Sequence, residues 1–144
     1  MILRRIFVIA FALFTVTLNT ACPHDIAAQV VEESNLRKEY DDKTEERRTV
    51  DLDLWSHHRI FIGTGLSSRA DSFTTISWAA TQQSERDEDR RLLTKYLSLT
   101  GRLIELADHK LVKEHVDDYT RMSLRNEQLS AKSYLDSLNT FERK

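Results

Sequence analysis

Four side chains near the middle of the chain are of types that chemistry uses. Asp51 and Asp53 precede the adjacent histidines His57 and His58. Carboxylates and imidazoles together can bind a metal or exchange protons. The spacing argues against both uses. Adjacent residues of a helix point in different directions, so His57 and His58 cannot share a face. The set reads as the start of a folded region. His109 and His115 are six residues apart, again off-register for one helical face. The single cysteine, Cys22, falls in or beside an apolar leader, which leaves no Cys/His or Ser/His/Asp arrangement to build a nucleophile from. Gly63 and Gly65 mark a turn after Ile60-Phe61-Ile62. They lack the rest of a dinucleotide fingerprint and the Lys-Ser/Thr of a phosphate-binding loop. The chain is therefore expected not to be an enzyme, and to need neither metal nor cofactor.

The chain has 144 residues, 40% hydrophobic and 31% charged, with a formal charge of −2. That suits one small domain with a polar segment attached. Loss of a leader carrying Arg4 and Arg5 takes the charge to −4. No basic surplus is left to neutralise phosphates, so nucleic acid is not an expected partner.

The leader is Arg4-Arg5 followed by the apolar run Ile6 to Leu18 and the small residue Ala21. This is the pattern of a secretory signal peptide. Thirteen residues rise about 20 Å as a helix, short of the roughly 30 Å that a permanent span requires. No membrane association is expected once it is cleaved. Cleavage after Ala21 leaves Cys22 at the new terminus, and cleavage after Ala28 removes it. Asn19-Thr20-Ala21-Cys22 also resembles a bacterial lipobox, with Asn19 where an apolar residue is usual. The alternative that follows is an envelope lipoprotein, anchored through Cys22, acting as a helical binding or structural protein.

Residues 29–54 carry fourteen charges in twenty-six positions, and Tyr40 is their only aromatic. Apolar side chains are too sparse to offset ordering entropy, so the segment is expected to be disordered or a fraying charged helix. Within it stand Ser34-Asn35-Leu36-Arg37 and, after seven intervening residues, Glu45-Glu46-Arg47, with Asp41 and Asp42 as an acidic lead-in. A leader, an x-x-Leu-Arg segment, Glu-Glu-Arg and then a helical region resemble the RxLR-dEER secreted effectors of oomycete plant pathogens. Ser34 stands where the first arginine of that family's motif would be. The resemblance covers residues 1 to 48 or so. It implies that Ser34, Asn35, Leu36, Arg37, Glu45, Glu46 and Arg47 form a translocation motif. It also implies secretion, entry into host cells, and binding of a host protein there to modulate immunity. A protein working in a reducing host cytosol should not depend on disulfides, and one cysteine can form none within the chain.

The elements that follow read as helical. Asp71 or Ser72 can cap a helix bearing Phe73, Ile76, Trp78, Ala79 and Ala80. From Glu85 onward Leu92, Leu93, Tyr96, Leu97, Leu103, Ile104, Ala107, Leu111, Val112, Val116 and Tyr119 recur mostly at spacings of three and four. Gly101 is the candidate hinge or C-cap. A last helix fits Leu124 to Phe141, with Leu129, Tyr134, Leu135, Leu138 and Phe141 on its apolar side. The expected protein is a signal peptide over 1–21, a disordered segment over 22–54 and an all-α domain over 55–144. That domain is a bundle of three or four helices, WY-like if Trp78 packs with Tyr96 or Tyr119. A coiled-coil hairpin that forms a homodimer is the competing geometry, because the apolar spacing is also near-heptad.

Overall fold

The computed structural model describes residues 23–58, 60, 62 and 81–143. The leader, Cys22, the Gly63-Gly65 turn and the expected helix with Trp78 lie outside them. Among the described residues the chain is three helices and no strand: α1, Pro23–His58; α2, Gln83–Asp108; and α3, Asp118–Glu142. The all-α bundle expected from the periodicity is the fold.

The helices alternate in direction. Glu39 and Glu46 of α1 face Arg102 and Lys95 of α2, so these two helices run antiparallel. Arg90 near the start of α2 meets Glu142 at the end of α3, and Asp108 at the end of α2 meets Arg125 near the start of α3. α2 is thus the central helix, packed against both others.

The segment 22–54 is a correction. Of the two expected forms, disorder is overturned and the charged helix holds, because residues 23–54 belong to α1, a helix of 36 residues and about 54 Å. The stripe that holds it is Leu36, Tyr40, Lys43, Arg47, Val50 and Leu54, spaced by four, three, four, three and four. Val50 and Leu54 are buried, Leu36 and Tyr40 partly so. Two positions of that heptad-like stripe carry charge, which hid it among the surrounding charges.

Two apolar clusters fill the bundle. The lower one gathers Val50, Leu54, Ile60, Leu92, Leu93 and Tyr96 with Ala131 and Leu138 of α3. The upper one gathers Leu103, Ala107, Val112, Val116 and Leu124, with Leu36 and Tyr40 packed on it. Buried Thr100 and Glu127 sit between them. Thr100 Oγ1 donates to the Tyr96 carbonyl at 2.8 Å, which satisfies its hydroxyl inside the helix.

Three further expectations are corrected. The amphipathic run does not continue as helix to Tyr119. α2 stops at Asp108, and a turn over 109–117 still inserts Val112 and Val116 into the upper cluster. Asp117 then caps α3, its carboxylate accepting the Thr120 N–H at 2.7 Å. Tyr119 and Leu129 are not core residues, being 64% and 66% exposed. Gly101 is neither hinge nor cap, because it lies inside α2, where an added Cβ would stand 3.5 Å from Gln128 Nε2.

Candidate functional site: the motif-bearing helix

Both motif segments fall on α1, and the bundle treats their residues unequally. Arg47, the arginine of Glu45-Glu46-Arg47, turns inward and forms an ion pair with Glu127 of α3, whose side chain is only 3% exposed. Tyr96 of α2 completes the group. Its hydroxyl donates to Glu127 Oε2 at 2.7 Å and accepts from Arg47 Nη1 at 3.1 Å. Ser123 donates to the other carboxylate oxygen at 3.3 Å. Burial pushes the Tyr96 phenol far above its ordinary range, so it remains a donor at any physiological pH. One residue from each helix therefore meets in a polar layer between the apolar clusters. Glu127 is supplied with three donors, as a buried carboxylate must be. This arrangement clamps three helices together. Its oxygens are occupied by the fold, and it presents no nucleophile.

The neighbours of Arg47 look outward by degrees. Glu46 reaches Lys43 at 2.9 Å and Lys95 of α2 at 3.1 Å, and these lysines, Lys43 first, hold its carboxyl below the usual range. Glu45 is exposed, with Arg48 at 3.9 Å. In the first segment, Ser34 and Asn35 are exposed and Leu36 packs on the upper cluster. Arg37 contacts Glu33 and His115. His115 lies 3.1 Å from Glu33, so it ties the 109–117 turn to α1. Sequence spacing signalled the motif residues themselves. It did not signal Glu127, an acidic residue on the buried face of an otherwise apolar helix stripe.

The histidine and aspartate set lies at the C-terminal end of α1. His57 and His58 end α1, and Asp51 accepts the backbone N–H of Ile62. Burial raises the Asp51 pKa against the lowering effect of Arg47. His109 caps α2 and accepts the Leu111 N–H on Nδ1 at 3.3 Å. No group of three His, Cys, Asp or Glu among the described residues could hold a metal. No helix among them is long and apolar enough to cross a membrane.

Two concave surfaces flank α1. One, of about 250 Å³, opens between α1 and α3 above the clamp, with Tyr40, Thr44, Tyr119 and Thr120 on its walls and Arg47 and Glu127 at its floor. The other, of about 590 Å³, is lined among the described residues by one face of the N-terminal half of α1 alone, from Ala27 to Glu39. Compared with protein-family models, curated proteins and solved structures, the chain matches none.

Proposed function

We propose that the chain is a secreted pathogen effector, delivered into host cells, that acts by binding a host protein through its helical surface. The observation that carries this reading is the order along the sequence. A signal-like leader comes first, then Leu36-Arg37, then Glu45-Glu46-Arg47 with its acidic lead-in, and then the rest of a helical bundle. The bundle supports it by needing no disulfide: its two apolar clusters and its clamp hold the three helices with no cysteine.

On this reading a delivery machinery would meet the exposed residues of the two segments. Ser34, Asn35 and Glu45 face solvent, whereas Leu36 and Arg47 face the bundle. Replacing the whole motif with alanine would therefore confuse delivery with stability. The informative variant is Asn35→Ala with Glu45→Ala in the tagged, secreted chain. Its accumulation inside host cells should fall several-fold while its helical circular dichroism stays at the wild-type level. Unchanged accumulation would remove the motif from the delivery account. Mass spectrometry of the mature N-terminus supplies the second arm. A diacylated Cys22 would make the chain an envelope lipoprotein instead.

A further inference from the structure

α3 carries a second stripe on the side away from the bundle. Leu124, Glu127, Ala131 and Leu138 face inward and are buried. Tyr119, Met122, Asn126 and Leu129 follow one another at spacings of three, four and three, and all are exposed. Three of these four are large apolar side chains, with Tyr119 at 64%, Met122 at 53% and Leu129 at 66% exposure. The spacing is that of a coiled-coil seam, offered to solvent by a helix already packed on its other face. Ser133 and Asp136 continue the stripe as polar residues, so its apolar part ends at Leu129.

The edges of the stripe select the occupant. Ser123 and Ser130, small and uncharged, stand on one edge, and Asp118, Arg125 and Lys132 on the other. Arg125 is matched within the chain, because Asp108 accepts two hydrogen bonds from it at 2.8 and 3.0 Å. Asp118 touches Arg121 yet stays 95% exposed, and Lys132 has no ion pair among the described residues. Two copies of α3 can be laid antiparallel with Tyr119 beside Leu129 of the second copy. Met122 then lies beside Asn126 of the second copy, and Asp118 beside Lys132 of the second copy, each pairing occurring twice by symmetry. The serine edges meet each other and admit close approach. Arg125 meets its own counterpart, each with its Asp108 alongside. A parallel pair would set each charged edge against a serine edge and gain no ion pair.

We infer that this outer face of α3 joins two copies of the chain in an antiparallel, two-fold pair. The inference stands apart from the host-delivery reading and gives the bundle its state of association. Tyr119, Met122 and Leu129 of each copy leave water together, and the two Asp118–Lys132 pairs fix the direction and register. The interface is small, so the dissociation constant should be roughly 10–100 µM.

Sedimentation equilibrium of the mature secreted chain tests this, in reductant so that no disulfide through Cys22 contributes. The mass should rise from monomer towards dimer between about 1 and 300 µM. Met122→Asp combined with Leu129→Asp should weaken association by roughly tenfold or more. Both side chains are exposed, so helical circular dichroism should stay at the wild-type level. Lys132→Asp should weaken association several-fold at low salt, and adding Asp118→Lys to it should restore the wild-type value. A monomeric mass over the whole range overturns the inference and leaves the stripe to another partner. A dimer that survives the double aspartate variant also overturns it. So does a charge reversal that Asp118→Lys fails to rescue, because the two copies would then pair in another register.

Discussion

α1 and α3 flank the same central helix, yet they hold to it by different means. α3 buries Leu124, Ala131 and Leu138 at sevenfold spacing, a continuous apolar seam interrupted only by Glu127. α1 buries two large apolar side chains, Val50 and Leu54, close to its C-terminal end. Above them its attachments are mostly charged: Arg47 to Glu127, Glu46 to Lys95 and Glu39 to Arg102. Apolar seams attach a helix over its length, because burial contributes wherever area is covered. Ion pairs attach it at points, and only the buried one carries much weight, since exposed pairs contribute little net stability. α1 is therefore pinned in its lower half and held lightly above.

The sharpest way to break this contrast is to cut the buried point. Arg47→Ala leaves Glu127 buried without its countercharge and should destabilise the fold by about 3–5 kcal/mol in chemical denaturation. The pair Arg47→Met with Glu127→Leu should recover most of that loss, because an apolar replacement removes the uncompensated charge. A loss below about 1 kcal/mol for the single variant would mean that the clamp does not hold α1.

A smaller effect sits one turn below. Burial raises the Asp51 pKa, so the folded state favours the protonated carboxyl. The unfolded chain then releases that proton at lower pH than the folded chain does. This contribution to stability is complete below the ordinary carboxylate range and is lost as pH rises through the raised folded value. Asp51→Asn should accordingly raise the thermal midpoint at pH 7, with the difference from wild type vanishing near pH 3. A midpoint lowered at pH 7 would mean that Arg47 and the Ile62 N–H, which favour the ionised carboxylate, outweigh its burial.

The smallest effect belongs to the exposed pair. The Arg102 guanidinium holds the Glu39 carboxyl below its usual range, but both side chains remain open to water on one side, at 42% and 36% exposure. Glu39→Ala should leave the denaturation midpoint unchanged within error, while speeding amide exchange in the α1 turns above it. A shift of the midpoint as large as that from Arg47→Ala would erase the distinction between pinned and lightly held halves.

What the sequence made legible follows the same division. Leu92, Leu93, Tyr96, Leu103 and Ala107 on α2, and Leu124 and Leu138 on α3, stand out by periodicity and are buried. Tyr119 falls out of that periodicity because the 109–117 turn resets the register before α3 begins, and Leu129 because it stands five residues from Leu124, off the sevenfold seam of α3 itself. α1 was illegible for a reason of composition. Lys43 and Arg47 occupy its inward stripe, and hydrophobic counting scores them as breaks. The clue was the spacing from Leu36 through Tyr40 to Val50 and Leu54, which is regular once the charged positions are kept in the count. The clamp was harder still to foresee, since its three members lie 31 to 80 residues apart.

The central claim is that the motif-bearing segment is a docked helix. Hydrogen–deuterium exchange of the secreted chain tests it most directly. Amides of residues 40–54 should exchange as slowly as those in the middle of α2, amides of 25–32 much faster, and Arg47→Ala should release the former without first releasing α3. Exchange of 40–54 at the rate of an unstructured peptide in the wild-type chain would contradict the account.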